Sequence, residues 1–465
     1  MNRTYRLLLF AAALPVFACD APVNGRAQGG PLSDYVAKAD SSYAWTVRGQ
    51  FRQGTSEIIE LQLQSQTWRD VLWRHQLYLI KPDRMTAPQQ GLMILAGGRW
   101  DPSLDTDSSL GALPDGSGLF VAIANRLGSV VAVLRQVPFQ PLFGATEDKL
   151  IAYTLDRYLR TQDAEWPLLL PMVKSAVRAM DAAQAASKLN WDIGLDAFTL
   201  LGGSKRGWTT WLTAAVDQRV TALVPLVIDA LNMASHFPYQ TEVWGAPSEK
   251  IKPYTDLNLD VVLASEQGRA LREIIDPFAY RSLLTQPKLI VIGTNDEYFP
   301  VDALNLYWEG LQGQKHALYL PNTGHDTEDF GRLIAGLGAL HQQAAGGTPM
   351  PQLEWEYRLD STGLTLCVGA DRTLQHMQAW LAESDDRDFR DAQWRAAPLP
   401  SADGIFIQEV PRPSEGFTAV YVEAMFGLGD AAVFLSTNLA VVAAQVGGDV
   451  GRLAPSTAKV CDSRR

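Results

Sequence analysis

A serine stands between glycines at the point where an apolar strand pattern gives way to a helical one: L-L-G-G-S-K-R-G-W, residues 200–208. Residues 197–201 form a short apolar run of the kind a buried strand shows. From Gly207 onward, Trp208, Trp211, Leu212 and Ala215 recur at helical spacing. A turn this tight forces strained backbone angles at the serine, and small neighbours relieve the crowding. The helix that follows aims its amide dipoles at the serine, where an oxyanion would form. Glycine comes three places after Ser204, with Arg206 at the second place, whereas the usual nucleophile turn reads G-x-S-x-G. A simple loop or a phosphate-cradling turn therefore stays open on these residues alone.

A chain of 465 residues exceeds one ordinary domain and implies two. With 47% hydrophobic and 20% charged residues it can build a large core. The thirteen tryptophans fit either core packing or a stacking surface. A net charge of −11 without basic clusters argues against nucleic acid and anionic membrane surfaces as partners. Arg3 and Arg6 precede an apolar run over 7–17, too short to span a bilayer permanently, so residues 1–18 read as a secretory signal. Cys19 follows Ala18 as in a lipoprotein signal, where that cysteine is lipidated, although Phe17 departs from the pattern; ordinary cleavage and an uncleaved anchor are the alternatives. Membrane attachment is expected only through such an anchor. Cys367 and Cys461 are the other two cysteines, and in an oxidising compartment they are expected to pair. No cofactor motif and no metal-ligand spacing is present.

Residues 19–40 are polar and read as a tether. A unit over 41–345 follows, in which strands over 57–64, 76–81, 91–96, 130–134, 197–201, 220–228, 288–292 and 317–320 first form a hairpin and then alternate with helices over 117–127, 147–159, 168–188, 304–311 and 328–345. This predicts a mostly parallel α/β sheet. The alternation lapses over 232–286, where an insertion, with a helix over 261–274, would lie above the carboxyl ends of the strands as a lid. A linker over 346–352 leads to short strands over 353–465, which read as a small β-sandwich.

Acyl transfer by serine needs a base and a residue that orients it. Asp296 lies in the loop after the strand at 288–292, and His325 in the loop after the strand at 317–320. The order serine, acid, histidine on loops after successive strands is that of an α/β-hydrolase. Among the other histidines, His75 and His316 abut strands, His236 opens the insertion, His341 lies late in a helix and His376 is in the β region. For the acid, Glu297, Asp302 and Asp326 are alternatives to Asp296, of which Asp302 and Asp326 read as helix caps. The oxyanion would be held by the Lys205 amide and by Gly98 or Arg99, after the strand at 91–96. Lys205 and Arg206 place positive charge beside the serine, to attract an acidic substrate group or to pair with carboxylates. Trp100, Arg206, Trp244 and Tyr298 are the expected substrate contacts. These residues predict a serine hydrolase acting on a small ester or peptide; the alternative is an inactive binding or signalling module on the same scaffold.

Residues 202–217 (G-G-S-K-R-G-W-T-T-W-L-T-A-A-V-D), 224–233, 134–144 and 293–299 resemble the PhoPQ-activated pathogenicity-related protein family, and the resemblance runs from about Tyr35 into the β region. It implies an exported bacterial α/β-hydrolase-like protein, linked in that family to virulence and resistance to antimicrobial peptides. The glycine three places after the serine is similar to the glucuronoyl and acetyl-xylan esterases.

Overall fold

In the computed structural model the described residues are 29–445, apart from 106–110, 115, 400 and 403, together with 460–462. The expected signal segment and Cys19 lie outside them. Three antiparallel strands, β1 (Ala44–Gln53), β2 (Ser56–Trp68) and β3 (Val71–Lys81), lead into β4 (Gln90–Leu95), β5 (Val131–Leu134), β6 (Ala197–Gly203), β7 (Val220–Leu226), β8 (Lys288–Gly293) and β9 (Lys315–Leu320). Their order across the sheet is β1-β2-β3-β5-β4-β6-β7-β8-β9, and the pairs from β5 through β4 to β9 are parallel. Parallel strands of this kind are covered on both faces, so they read as unbroken apolar runs. Leu92, Met93, Leu223, Val224, Leu289 and Val291 are accordingly buried.

Helices α2 (Gly118–Leu127), α3 (Glu147–Thr161), α4 (Leu169–Trp191) and α5 (Lys205–Val216) cover the sheet. The alanines of α4 at 176, 179, 183 and 186 are fully buried, which lets that long helix lie close against α5 and β2. The insertion holds α6 (Met233–Trp244), α7 (Lys252–Thr255), α8 (Leu259–Ala264) and α9 (Arg269–Ile275), and α10 (Phe330–Ala344) follows β9. Among the described residues no helix is long and apolar enough to cross a membrane.

Four expectations are corrected. Residues Pro31–Ala37, read as tether, form a helix, α1, with Leu32, Tyr35 and Val36 buried. The Lys174 Nζ donates to the Lys38 carbonyl at 2.6 Å, a cation on the carbonyl end of that helix. The helix expected over 261–274 is broken into α8 and α9 at Gly268, where a Cβ would stand 2.2 Å from the Val262 carbonyl oxygen. The helix expected over 304–311 is two 3₁₀ turns, because Asn305 and Tyr307 are drawn to the Leu439 carbonyl and to Asp229. Neither aspartate read as a helix cap caps one. Asp302 accepts from Tyr239 and Arg387 instead, and Asp329, not Asp326, caps α10.

The chain continues in strands: β10 (Leu353–Leu359), β11 (Gly363–Ala370), β12 (His376–Ser384), β13 (Arg395–Pro398), β14 (Ser401–Ala402), β15 (Ile405–Pro411), β16 (Phe417–Phe426), β17 (Val433–Ser436) and β18 (Ala440–Ala443). One sheet, β10-β11-β15-β14, stands apart. The other, β17-β16-β12-β13 with β18, is continuous with the central sheet, because β17 pairs with β9 at Ser436 and Ala317. Apolar residues of both sheets, Leu366, Val368, Met377 and Val422 among them, share one core. A disulfide joins Cys367 on β11 to Cys461, with Cα atoms 5.4 Å apart.

Candidate active site

Ser204 sits between β6 and α5 with φ 54° and ψ −122°, a conformation that a non-glycine residue holds only when its surroundings impose it. A Cβ on Gly202 would lie 2.5 Å from the Arg206 carbonyl oxygen, and one on Gly207 would lie 2.8 Å from Ile228 and 2.9 Å from the Gly202 carbonyl oxygen. The positions that must be small are therefore 202 and 207. Position 206 admits a long side chain because it leaves the turn sideways, over Gly97.

The loop after β8 carries Asp296 and the loop after β9 carries His325. The structure brings both to the serine: His325 Nε2 is 2.9 Å from Ser204 Oγ, and His325 Nδ1 is 2.9 and 3.1 Å from the two Asp296 oxygens. Asp296 Oδ1 also accepts the Tyr298 amide at 2.8 Å. Burial raises the Asp296 carboxyl above its ordinary value, and the bond to His325 pulls it partway back. With Asp296 ionised, Nδ1 of His325 carries the ring proton and Nε2 accepts from the serine hydroxyl. The Tyr298 ring lies over the imidazole, centroids 4.1 Å apart, and the His325 amide donates to Glu297.

The two cations after the serine face carboxylates. Arg206 forms a bidentate pair with Glu147, both bonds 2.7 Å, and its Nε donates to the Val137 carbonyl. Burial alone would raise the Glu147 carboxyl, but Arg206 outweighs it and holds it below the usual range. Lys205 Nζ donates to Asp148 at 2.7 Å, and Tyr254 donates to the other oxygen of Asp148. Arg206, expected at the substrate, is thus consumed by the scaffold.

A cavity of about 60 Å³ opens beside Ser204. Its walls are mostly apolar, with Trp208, Ile228, Met233, Phe237 and Phe299. Lys205, Asp148, Tyr254, His236, Gln240 and Tyr298 add polar groups. Of the expected substrate contacts, Tyr298 lines this cavity and Trp100 and Trp244 do not. Trp100 is buried beside Phe139 with Arg74 over its ring, and Trp244 lies under the Arg390 guanidinium, 4.3 Å from the ring centroid. Gly98 borders a different cavity, with Tyr78 and Arg135, and has φ 117°. Arg99 is exposed. The sequence reading missed Glu147, Asp148, Tyr254, His236 and Gln240. The acidic pair opening α3 was the one visible signal, and it reads equally as a helix start. Among the described residues no group of three His, Cys, Asp or Glu is placed to hold a metal ion.

A mixed sheet in this strand order, with a strained serine after β6, an acid after β8 and a histidine after β9, defines the α/β-hydrolase fold. The model of the family described as PhoPQ-activated pathogenicity-related protein matches residues 32–390, and the chain belongs to that family. Autocrine proliferation repressor protein A of Dictyostelium discoideum is 28% identical over 466 residues, covering 92% of this chain and 90% of that protein. Similar solved structures include acetyl xylan esterase 1 from Thermoanaerobacterium sp. JW/SL YS485, with TM-score 0.45, 17% identity and coverage of 67% of this chain and 90% of the other. An S-formylglutathione hydrolase from Agrobacterium tumefaciens has TM-score 0.42 and 12% identity, over 65% of this chain and 99% of its own. A puromycin-hydrolyzing peptidase of Mycobacterium tuberculosis has TM-score 0.39 and 14% identity, over 64% and 47% respectively.

Proposed function

We propose that the protein is an exported serine hydrolase of carboxylic esters or peptide bonds, with Ser204 as nucleophile, His325 as general base and acid, and Asp296 as the group that orients the imidazole. The observation that carries this reading is the unbroken chain Ser204–His325–Asp296, 2.9 Å at each link, on a serine held at φ 54°. Ser204 Oγ attacks the acyl carbon and its proton passes to His325 Nε2. The oxyanion is held by the Lys205 amide at the start of α5 and by Gly98 or Arg99. The bond to the leaving oxygen or nitrogen then breaks, and His325 returns the proton to it. Water enters along the same proton path and releases the acid. The insertion over 232–286 serves as the lid of this site. Export runs through residues 1–18, with Cys19 as lipid acceptor, which places the activity at a bacterial envelope, in keeping with the pathogenicity in the family's description.

Fluorophosphonate labelling tests the reading. Wild type is expected to label and Ser204→Ala to stay unlabelled, with kcat lower by on the order of 10⁶-fold. A folded wild type that does not react, or a Ser204→Ala variant that fully restores a deletion strain, would favour a binding module instead.

A further inference from the structure

Arg135 follows β5 directly, and Gly97 and Gly98 lie just past β4, so they stand at the carboxyl ends of neighbouring parallel strands. Open α/β sheets bind their ligands at such strand ends. Gly98 and Arg135 line a half-open cavity of about 350 Å³, with Tyr78, Val133, Phe120 and Leu113 in its walls. Arg135 is only partly buried, and its Nη1 donates to Gln76 Oε1 at 3.1 Å. Among the described residues no carboxylate pairs with it. Glu60, the acid of this network, is held by Arg48 at 3.2 Å and by Gln76 Nε2 at 3.1 Å. Arg135 Nε and Nη2 have no hydrogen-bond partner among the described residues, and neither is one of the buried atoms that lack a partner, so both are open to solvent. Nη2 is 4.0 Å from where a Cβ on Gly98 would stand, which puts it at the cavity wall. Gly98 has φ 117°, a conformation that favours glycine, so no side chain grows there to cover the guanidinium.

The Nε–H and Nη2–H of a guanidinium point the same way and form a fork that a carboxylate meets with two parallel bonds. In Arg135 this edge is the free one, while Nη1 anchors the group. Leu113 and Phe120 are partly exposed, so apolar surface flanks the fork. We propose that this cavity is a second small-molecule site, for a monocarboxylate with an apolar body. The carboxylate bonds side-on to Arg135 Nε and Nη2, and the body lies on Phe120, Leu113 and Val133. One cation among apolar walls favours a carboxylate over a phosphate, whose second charge would find no partner there. The inference uses neither Ser204 nor its partners, so a wild type that does not label leaves it standing.

The test is a ligand-observed NMR titration of the full chain at neutral pH with 4-phenylbutyrate and its neutral amide, 4-phenylbutyramide. Wild type is expected to bind the acid about tenfold more tightly than the amide, the scale of a charge-assisted pair of hydrogen bonds. Arg135→Met should abolish that advantage. Gln76 Oε1 keeps its bond from Gln136 Nε2 at 3.0 Å, so the variant is expected to fold, which circular dichroism checks. Arg135→Lys keeps the charge without the fork and should retain only part of the advantage. Phe120→Ser leaves the cation in place and should weaken the acid severalfold, a readout that does not depend on any change at Arg135. An acid-to-amide ratio that survives Arg135→Met, as binding beside Lys205 would give, overturns the inference. So does an acid affinity unchanged in Phe120→Ser, or displacement of the acid by an equal concentration of inorganic phosphate.

Discussion

At single residues, sterics and charge separate the positions that matter from those that look as if they should. Gly207→Ala would drive a Cβ into Ile228 and the Gly202 carbonyl. It should cost about 1–3 kcal/mol by overpacking and slow fluorophosphonate labelling, read by urea unfolding and by labelling rate. Asp229, three residues past the end of β7, gives a second test. Its carboxyl is fully buried and bonded to Tyr307 at 2.6 Å, and burial pushes its pKa up to about 8 from 3.8. Between those values the folded chain holds a proton that the unfolded chain has lost, so stability falls as pH rises through this window. Asp229→Asn should remove that component, making the slope of stability against pH less negative by up to about 1.4 kcal/mol per unit; an unchanged slope refutes the assignment. Ser204, Asp296 and His325 were legible because each is a chemically apt residue in a loop directly after a strand, so the sheet alone places them. His236, Gln240 and Tyr254 were not, because they reach the cavity from an insertion whose path depends on tertiary packing.

At the level of elements, strands and long helices were readable from periodicity, while short pieces were decided by contacts distant in sequence. The helix α1 shows how. Its seven residues, P-L-S-D-Y-V-A, carry too little pattern to distinguish a helix from a polar tether. What makes it a helix is its seat: Leu32 is fully buried, the Tyr35 hydroxyl donates to Gln66 at 2.7 Å, and Lys174 caps its end. Leu32→Ala should therefore cost about 2–5 kcal/mol in denaturant unfolding, whereas a tether would lose nothing measurable. The strand β1 was missed for a related reason. Its outer residues are half exposed, so the chain there lacks the apolar alternation that marked β2. The insertion, in turn, is fastened at several points: Trp208 on α5 donates to the Ile275 carbonyl, and Tyr239 on α6 shares Asp302 with Arg387.

For the whole molecule, the C-terminal strands and the hydrolase unit are mechanically one body around the candidate site. The sheet runs through from β9 to β17, and the loops carrying Asp296 and His325 are both pinned to the segment between β12 and β13. Asn295, the residue before Asp296, donates from Nδ2 to the carbonyls of Ala392, Arg390 and Phe389 at 2.8, 3.0 and 3.3 Å. Asn322, three residues before His325, exchanges two bonds with the Trp394 backbone, accepting at 2.8 Å and donating at 3.1 Å. Neither asparagine touches the serine, so each acts through the loop it holds. Sequence periodicity separates the β region as an appendage because it records each strand's faces and not what its loops grip. Asn295→Ala and Asn322→Ala should each lower kcat by roughly tenfold to a hundredfold, the scale of an ångström-sized misplacement of a catalytic group, with KM and the pH profile little changed. Circular dichroism and single-turnover labelling separate this from unfolding: a folded variant that labels at the wild-type rate would show that the C-terminal strands do not position the proposed triad.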